Sequence, residues 1–213
     1  DRVMKRKWVL RWSVFILGLL VLAFGIALTI KGKFLGIGPW DVFHYGLFTK
    51  FGFTIGTWSI ISGLLLLFIS SVFNKAWPQI GSFLNMMLLG LFIDLFNWML
   101  PSIDNLAGAT IAFIIGVVLM GYGIGLYVSA DFGAGPRDSF MLLIVEKMGW
   151  SIPLVRNGIE IIVFLIGWML GGPVGIGTLF IAFGLGPILG FSIPQCKKLM
   201  AYFLNQKDQL ITT

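Results

Sequence analysis

Long apolar runs are the feature that most constrains the fold of this chain. A helix needs about 20 consecutive apolar residues to cross a hydrocarbon core of roughly 30 Å. Segments near that length occur at residues 9–30, 54–73, 80–100, 106–128, 152–170 and 177–193. With 58% hydrophobic and only 11% charged residues, the chain is too apolar for a surface that faces water. We therefore predict an all-α membrane protein with six transmembrane helices.

Two shorter apolar segments, residues 41–51 and 138–148, lie between these spans. Each is about 17 Å long as a helix, which is too short to cross the core. We predict two half-helices, either re-entrant or lying at the membrane interface.

The distribution of basic residues predicts the orientation. With six spans and a cytoplasmic N-terminus, every Lys and Arg except Lys31, Lys33 and Lys50 lies on the cytoplasmic side, as the positive-inside rule requires. If the two short segments also crossed the membrane, giving eight crossings, the basic residues would fit this rule less well. The net charge of +6 is thus assigned to membrane orientation and not to nucleic-acid binding. We predict a multi-pass protein of the plasma membrane with both termini in the cytoplasm.

A six-residue motif occurs twice and indicates an internal repeat. The first copy is Gly36, Ile37, Gly38, Pro39, Trp40 and Asp41, and the second is Gly133, Ala134, Gly135, Pro136, Arg137 and Asp138. In each copy a Gly-x-Thr/Ser-Ile step follows, at residues 52–55 and 149–152.

The repeat predicts how the two halves of the chain are oriented. Each half holds three spans, an odd number, so the second half enters the membrane from the opposite side. We predict a 3+3 inverted-topology repeat within a single transmembrane domain. Its copies are residues 8–100 and 106–194, followed by a short cytoplasmic tail at 195–213.

The repeated motif allows two interpretations. Pro favours the first position of a helix, and an Asp two residues later can accept hydrogen bonds from free backbone N–H groups. Asp41 and Asp138 would then simply cap the half-helices. Alternatively, the two loops line a solute path, because irregular backbone at membrane depth is tolerated only beside protein or water. Arg137 and Trp40 occupy matching positions, so the two loops differ chemically.

Charged residues inside spans are further candidates, since each costs a few kcal/mol at the bilayer centre. Glu160 lies about 12 Å along its helix from Ile152, which makes it a candidate proton or cation carrier. Arg156 lies one turn earlier, and a simple Arg156–Glu160 salt bridge is the alternative.

Asp94 and His44 complete the set of candidates. Asp94 lies in the third span and is either a coupling-ion ligand or a residue at the outer end of that helix. His44, the one histidine of the sequence, follows Asp41 by one turn. It is either a titrating group or a hydrogen-bonded structural residue.

Catalytic signatures are absent from the sequence. There is no second histidine, no cluster of metal ligands and no Ser-His-Asp set, and the one cysteine, Cys196, has no partner. We predict no enzymatic activity, no metal and no cofactor. The expected partners are the lipid bilayer and a small solute, and a homodimer is compatible with so small a bundle.

The two Gly-x-Gly-Pro-x-Asp loops, the Gly-x-Ser/Thr-Ile step and the stretch at residues 177–187 carry a resemblance over nearly all of residues 8–200. The chain resembles the YczE/YyaS/YitT family of bacterial membrane proteins. This resemblance implies a polytopic membrane protein and transfers no catalytic or binding residues. We expect a secondary transporter or permease of a small polar or amphipathic solute, with proton coupling as one option. The alternative is a non-transporting scaffold, which would have no cavity at the membrane midplane.

Overall fold

The computed structural model describes residues 2–133 and 135–209, with backbone alone for residues 205–209. A short 3-10 helix at Lys33–Leu35 follows the first α-helix. The α-helices are α1 (Arg2–Lys31), α2 (Pro39–Phe51), α3 (Ile55–Asn74), α4 (Ile80–Met99), α5 (Leu106–Ser129), α6 (Pro136–Met148), α7 (Ile152–Met169) and α8 (Ile176–Gln209). No strand occurs among the described residues.

Six of these helices are long and apolar enough to cross a membrane: α1, α3, α4, α5, α7 and α8. The prediction of an all-α protein with six candidate spans is therefore confirmed. The remaining helices, α2 and α6, have 13 residues each and coincide with the predicted half-helices. Whether they are re-entrant or interfacial stays a prediction.

The last helix differs from the expectation of a tail that begins at residue 195. Instead, α8 continues to Gln209, and its candidate span reaches Leu204. Pro194 lies within this helix. Proline removes a backbone hydrogen bond and crowds the carbonyl four residues earlier. The helix nevertheless continues through Pro194 to Gln209.

Close contact between α1 and α5 forms the centre of the bundle. A Cβ atom added to Gly25 would lie 2.6 Å from the carbonyl oxygen of Gly116, and one added to Gly116 would lie 2.7 Å from that of Gly25. A second close contact joins Gly18 to Gly123. Residue numbers rise along α1 as they fall along α5, so the two helices are antiparallel. Small residues let the two backbones approach, as in many membrane bundles.

The other helices pack around this pair. Helix α4 packs against α1, and α8 packs against α5. The short helices cross between the two halves of the chain, with α2 against α7 and α6 against α3. Helices α3 and α4 also pack together, whereas α7 and α8 form no comparable contact within the described residues.

The loops before the short helices are held by tight packing. Gly36 has φ +92° and Gly133 has φ +109°, a region that favours glycine. A Cβ atom at Gly36 would collide with the Thr178 hydroxyl, and one at Gly133 would collide with the Gln79 side chain. The first glycine of each motif is therefore required both by its backbone conformation and by its neighbours.

Candidate functional site

The two copies of the motif meet inside the bundle. The guanidinium carbon of Arg137 lies 4.6 Å from the centre of the Trp40 ring. These residues occupy the same position in the two copies of the motif. The N-terminal ends of α2 and α6 are therefore neighbours, although 97 positions separate Trp40 from Arg137 in the sequence.

Both short helices begin in the same way. Gly38 and Gly135 precede the first helical residue, which is a proline in each case. The first backbone hydrogen bonds run from Val42 N to Gly38 O, at 2.8 Å, and from Ser139 N to Gly135 O, at 2.9 Å. Proline at this position loses no helical hydrogen bond, because the first N–H groups of a helix have no partner in any case.

The carboxylates of Asp41 and Asp138 lie in the first turns of α2 and α6. Neither accepts a hydrogen bond from any described residue. The capping interpretation is therefore not seen in this geometry. Each carboxylate still lies near the positive end of its own helix dipole, which favours the charged form.

A cavity of about 610 Å³ opens beside these helix ends. This volume lies within the range of small-molecule binding sites. Five Asp, Glu and Arg side chains that the sequence singled out line it: Asp41, Asp138, Glu160, Arg137 and Arg156. Much of the remaining wall is apolar and includes Leu22, Ile26, Met86, Leu89, Met120, Ile181 and Leu185.

Arg137 is the central charge of this cavity. It interacts electrostatically with Asp41, Asp138 and Glu160. In the part of the chain that the structure describes, it forms neither an ion pair within 4 Å nor a hydrogen bond with any of them. The guanidinium instead lies over the indole of Trp40, a cation–π contact worth about 0.5–2 kcal/mol. Its N–H donors remain available to a ligand or water.

His44 lies one turn after Asp41 on α2 and also lines the cavity. The residue is only 2% exposed, and neither ring nitrogen has a hydrogen-bond partner among the described residues. The ring lies 6.1 Å from that of Trp40 and 5.7 Å from that of Phe43, centre to centre. A buried polar group without a partner costs about 1–3 kcal/mol, so the interpretation as a hydrogen-bonded structural residue has no support here.

Glu160 and Arg156 form the pair that the sequence left open. Nε of Arg156 lies 3.6 Å from Oε1 of Glu160, one turn apart on α7. The side chains are 52% and 25% exposed, so the pair contributes only a few tenths of a kcal/mol. Both residues also line the cavity.

Asp94 lies apart from the other candidates. Its carboxylate accepts hydrogen bonds from the Thr54 hydroxyl, at 2.6 Å, and from the Gly56 backbone N–H, at 2.8 Å. It does not line the cavity. These contacts join α4 to the N-terminal end of α3.

Several cavity residues were not singled out from the sequence. Tyr127 of α5 and Asn85 of α4 both line the cavity. Ser59 and Ser62 of α3 and Asn157 of α7 line it too. The available signal was a polar group within an apolar span, but uncharged groups of this kind also occur in ordinary helix contacts.

The described residues contain no group of three or more His, Cys, Asp or Glu side chains that could hold a metal ion. What the cavity offers is hydrogen bonding and charge of both signs, next to apolar walls. Such a site can bind a small organic molecule.

The helices and the polar cavity define the class of this protein, an all-helical integral membrane protein with an internal polar site. The chain belongs to the family described as "Family of unknown function (DUF6198)", which residues 9–194 match.

Relatives agree with this membership. The chain is 54% identical to "Uncharacterized membrane protein YczE" of Bacillus subtilis (strain 168), covering 98% of this chain and 97% of the relative. It is 29% identical to "Uncharacterized protein YyaS" of the same organism, over 80% and 86% of the two chains. It is also 34% identical to an "Uncharacterized protein" of Haemophilus influenzae, over 84% and 81%. The resemblance found in the sequence is thus confirmed. No solved structure matches the chain.

Proposed function

We propose that this protein is a secondary permease for a small polar or amphipathic solute. The observation that carries the proposal is the cavity, which brings the starts of α2 and α6 together with five Asp, Glu and Arg side chains. Charges inside a membrane bundle are costly and typically mark a path for a solute or ion. A non-transporting scaffold would favour a solid interior, so the cavity supports the permease.

The packing supports an inverted repeat, the architecture of many secondary transporters. The antiparallel contacts of α1 with α5 are reciprocal, since Gly18–Gly123 corresponds to Gly116–Gly25 when the halves are exchanged. Exchanging the halves also converts the α1–α4 contact into the α5–α8 contact. In the same way it converts the α2–α7 contact into the α6–α3 contact. A pseudo-two-fold axis through the middle of the α1–α5 contact accounts for all three relations. The Trp40–Arg137 contact then lies close to that axis.

One pair of helices breaks this symmetry. Helices α3 and α4 pack together, but their counterparts α7 and α8 do not. Residues of both α7 and α8 line the cavity, so no helix–helix contact closes it on that side. If α7 instead packed on α8 and α3 separated from α4, the cavity would open toward the other side of the membrane. This is the alternating access that a permease needs.

Transport would draw on an ion gradient, and Glu160 is the proposed proton carrier. It lies in the cavity, one-quarter exposed, and interacts electrostatically with Arg137. When a proton neutralises Glu160, both Arg156 and Arg137 lose an attractive partner. Protonation and rearrangement of the cavity are therefore linked.

Uptake by proteoliposomes tests the proposal. A panel of small polar and amphipathic solutes is offered to vesicles with and without a pH gradient. We expect at least one solute to accumulate only with the gradient, and the Glu160→Gln variant to lose the dependence on it. The matched control is Glu146→Gln, which removes an exposed carboxylate outside the cavity. Uptake no faster than in empty vesicles across the panel would contradict the permease, and unchanged coupling in Glu160→Gln would remove Glu160 from the mechanism.

A further inference from the structure

We infer that the cavity binds a zwitterionic solute, with its ammonium group at Asp41 and its acidic group at Arg137. This inference rests on the proposed permease function and specifies the chemistry of the solute.

Asp41 is a buried carboxylate that lacks a protein partner. The residue is only 4% exposed, and its carboxylate has no hydrogen-bond partner among the described residues. It lines the cavity at the start of α2. A carboxylate only accepts hydrogen bonds, and an ammonium group supplies up to three donors. An ammonium group at Asp41 would therefore satisfy a buried acceptor that the protein itself leaves unsatisfied.

Arg137 needs hydrogen-bond acceptors, whereas Asp41 needs donors. Its guanidinium has N–H donors and no acceptor, and no described residue accepts a hydrogen bond from it. The planar fork of donors suits a carboxylate or a similar acidic group. A ligand that carries only an ammonium group would leave these donors unsatisfied, and a purely anionic ligand would leave Asp41 unsatisfied.

The sum of charges favours a ligand without net charge. Three carboxylates and two guanidinium groups line the cavity, which gives one excess negative charge when all are ionised. The N-terminal ends of α2 and α6 add roughly half a positive charge each. The cavity is therefore close to neutral overall but holds separated groups of both signs. Such a site favours a molecule with the complementary separation of charge.

Trp40 lies next to both ends of the site. The guanidinium carbon of Arg137 lies 4.6 Å from the centre of its ring, and Asp41 is the next residue along α2. Both ends of the site thus border one aromatic side chain. The apolar wall formed by residues such as Met86, Met120 and Leu185 then accommodates the body of the solute.

Calorimetric titration of the full chain in detergent tests this inference. The probes are glycine, leucine and phenylalanine, each compared with the amine that lacks its carboxyl group and the acid that lacks its amino group. We expect at least one amino acid to bind at least tenfold more tightly than both of its singly charged analogues. An amine or acid that binds as tightly as its amino acid would overturn the inference, and so would the absence of binding by all three amino acids.

Variants assign the two ends of the site. Arg137→Gln is expected to weaken amino-acid binding at least tenfold and to leave amine binding unchanged. Asp41→Asn is expected to weaken binding of the amino acid and the amine and to leave that of the acid unchanged. Lys147→Gln and Glu146→Gln, which change charges outside the cavity on α6, are the controls. Identical losses for all three probes in either variant would indicate a folding defect, which thermal unfolding checks, or a site without charge selectivity, which overturns the inference.

The two proposals fail separately. Selective binding of an amino acid without uptake into proteoliposomes would keep the site and remove the permease. Uptake of some other solute by a protein that binds no zwitterion would keep the permease and remove the site.

Discussion

Arg137 lies over the ring of Trp40, 4.6 Å from its centre, and each residue occupies the place in its motif that the other occupies in the second copy. A duplicated sequence has thus placed a cation and an aromatic ring in contact near the axis that we propose to relate the two halves. This contact ties the start of α2 to the start of α6.

The Trp40–Arg137 contact is expected to stabilise the protein by about 0.5–2 kcal/mol. Trp40→Leu and Arg137→Gln should therefore be non-additive in a double-mutant cycle. Thermal unfolding in detergent measures the four stabilities. Strict additivity would show that the two side chains do not interact.

Gly25 tests the α1–α5 contact. Gly25→Ala places a Cβ atom 2.6 Å from the Gly116 carbonyl oxygen, so we expect a loss of about 1–3 kcal/mol of stability. Gly158→Ala is the matched control, since Gly158 also lies within a helix but has nothing within 4 Å of its Cβ position. Alanine there should be neutral or stabilising by up to about 1 kcal/mol. Equal effects on the melting temperature would contradict the close approach of α1 and α5.

The His44→Leu variant is expected to affect solute uptake and stability differently. Because its ring nitrogens are buried without partners, His44→Leu removes an unsatisfied polar group and should leave stability unchanged or raise it by about 1–3 kcal/mol. Solute uptake should fall at least tenfold in the same variant. Unfolding and uptake are measured on one preparation. Loss of stability with normal uptake per folded molecule would assign His44 a structural role.

Asp94→Asn should lower stability and leave uptake unchanged, the opposite of the effects expected for His44→Leu. Asp94→Asn weakens two hydrogen bonds that hold the start of α3, with an expected cost of about 1–2 kcal/mol. Uptake by the folded fraction should be unchanged, because Asp94 lies outside the cavity. Thr54→Val removes one of the same hydrogen bonds and should lower stability in the same direction. A specific loss of coupling in Asp94→Asn would return Asp94 to the mechanism.

Hydropathy was sufficient to predict the helices of this fold. The predicted start at Ile152 and the predicted end at Phe51 agree with the structure, because lipid sets the length of a span and glycine or proline marks its ends. The continuation of α8 past Pro194 was not predicted, because an internal proline usually ends or kinks a helix.

The candidate site was predicted in part. The repeated motif identified Trp40 and Arg137, but their contact depends on how α2 and α6 pack. Asp94 was placed among the functional candidates because a charge in a span is costly. Its partners, Thr54 and Gly56, come from a different helix and its cap, and no local pattern of residues indicated them.

A solute path requires that the cavity be reached from both sides of the membrane. Thiol labelling tests this directly with Ser62→Cys, which lines the cavity, and with Leu65→Cys, an exposed apolar position on the same helix, both in a Cys196→Ala background. A membrane-impermeant reagent is applied to vesicles of either orientation. Our account predicts that the cysteine at position 62 reacts from both sides and that the one at position 65 reacts from neither. Failure to label position 62, or labelling from one side alone, would contradict the permease.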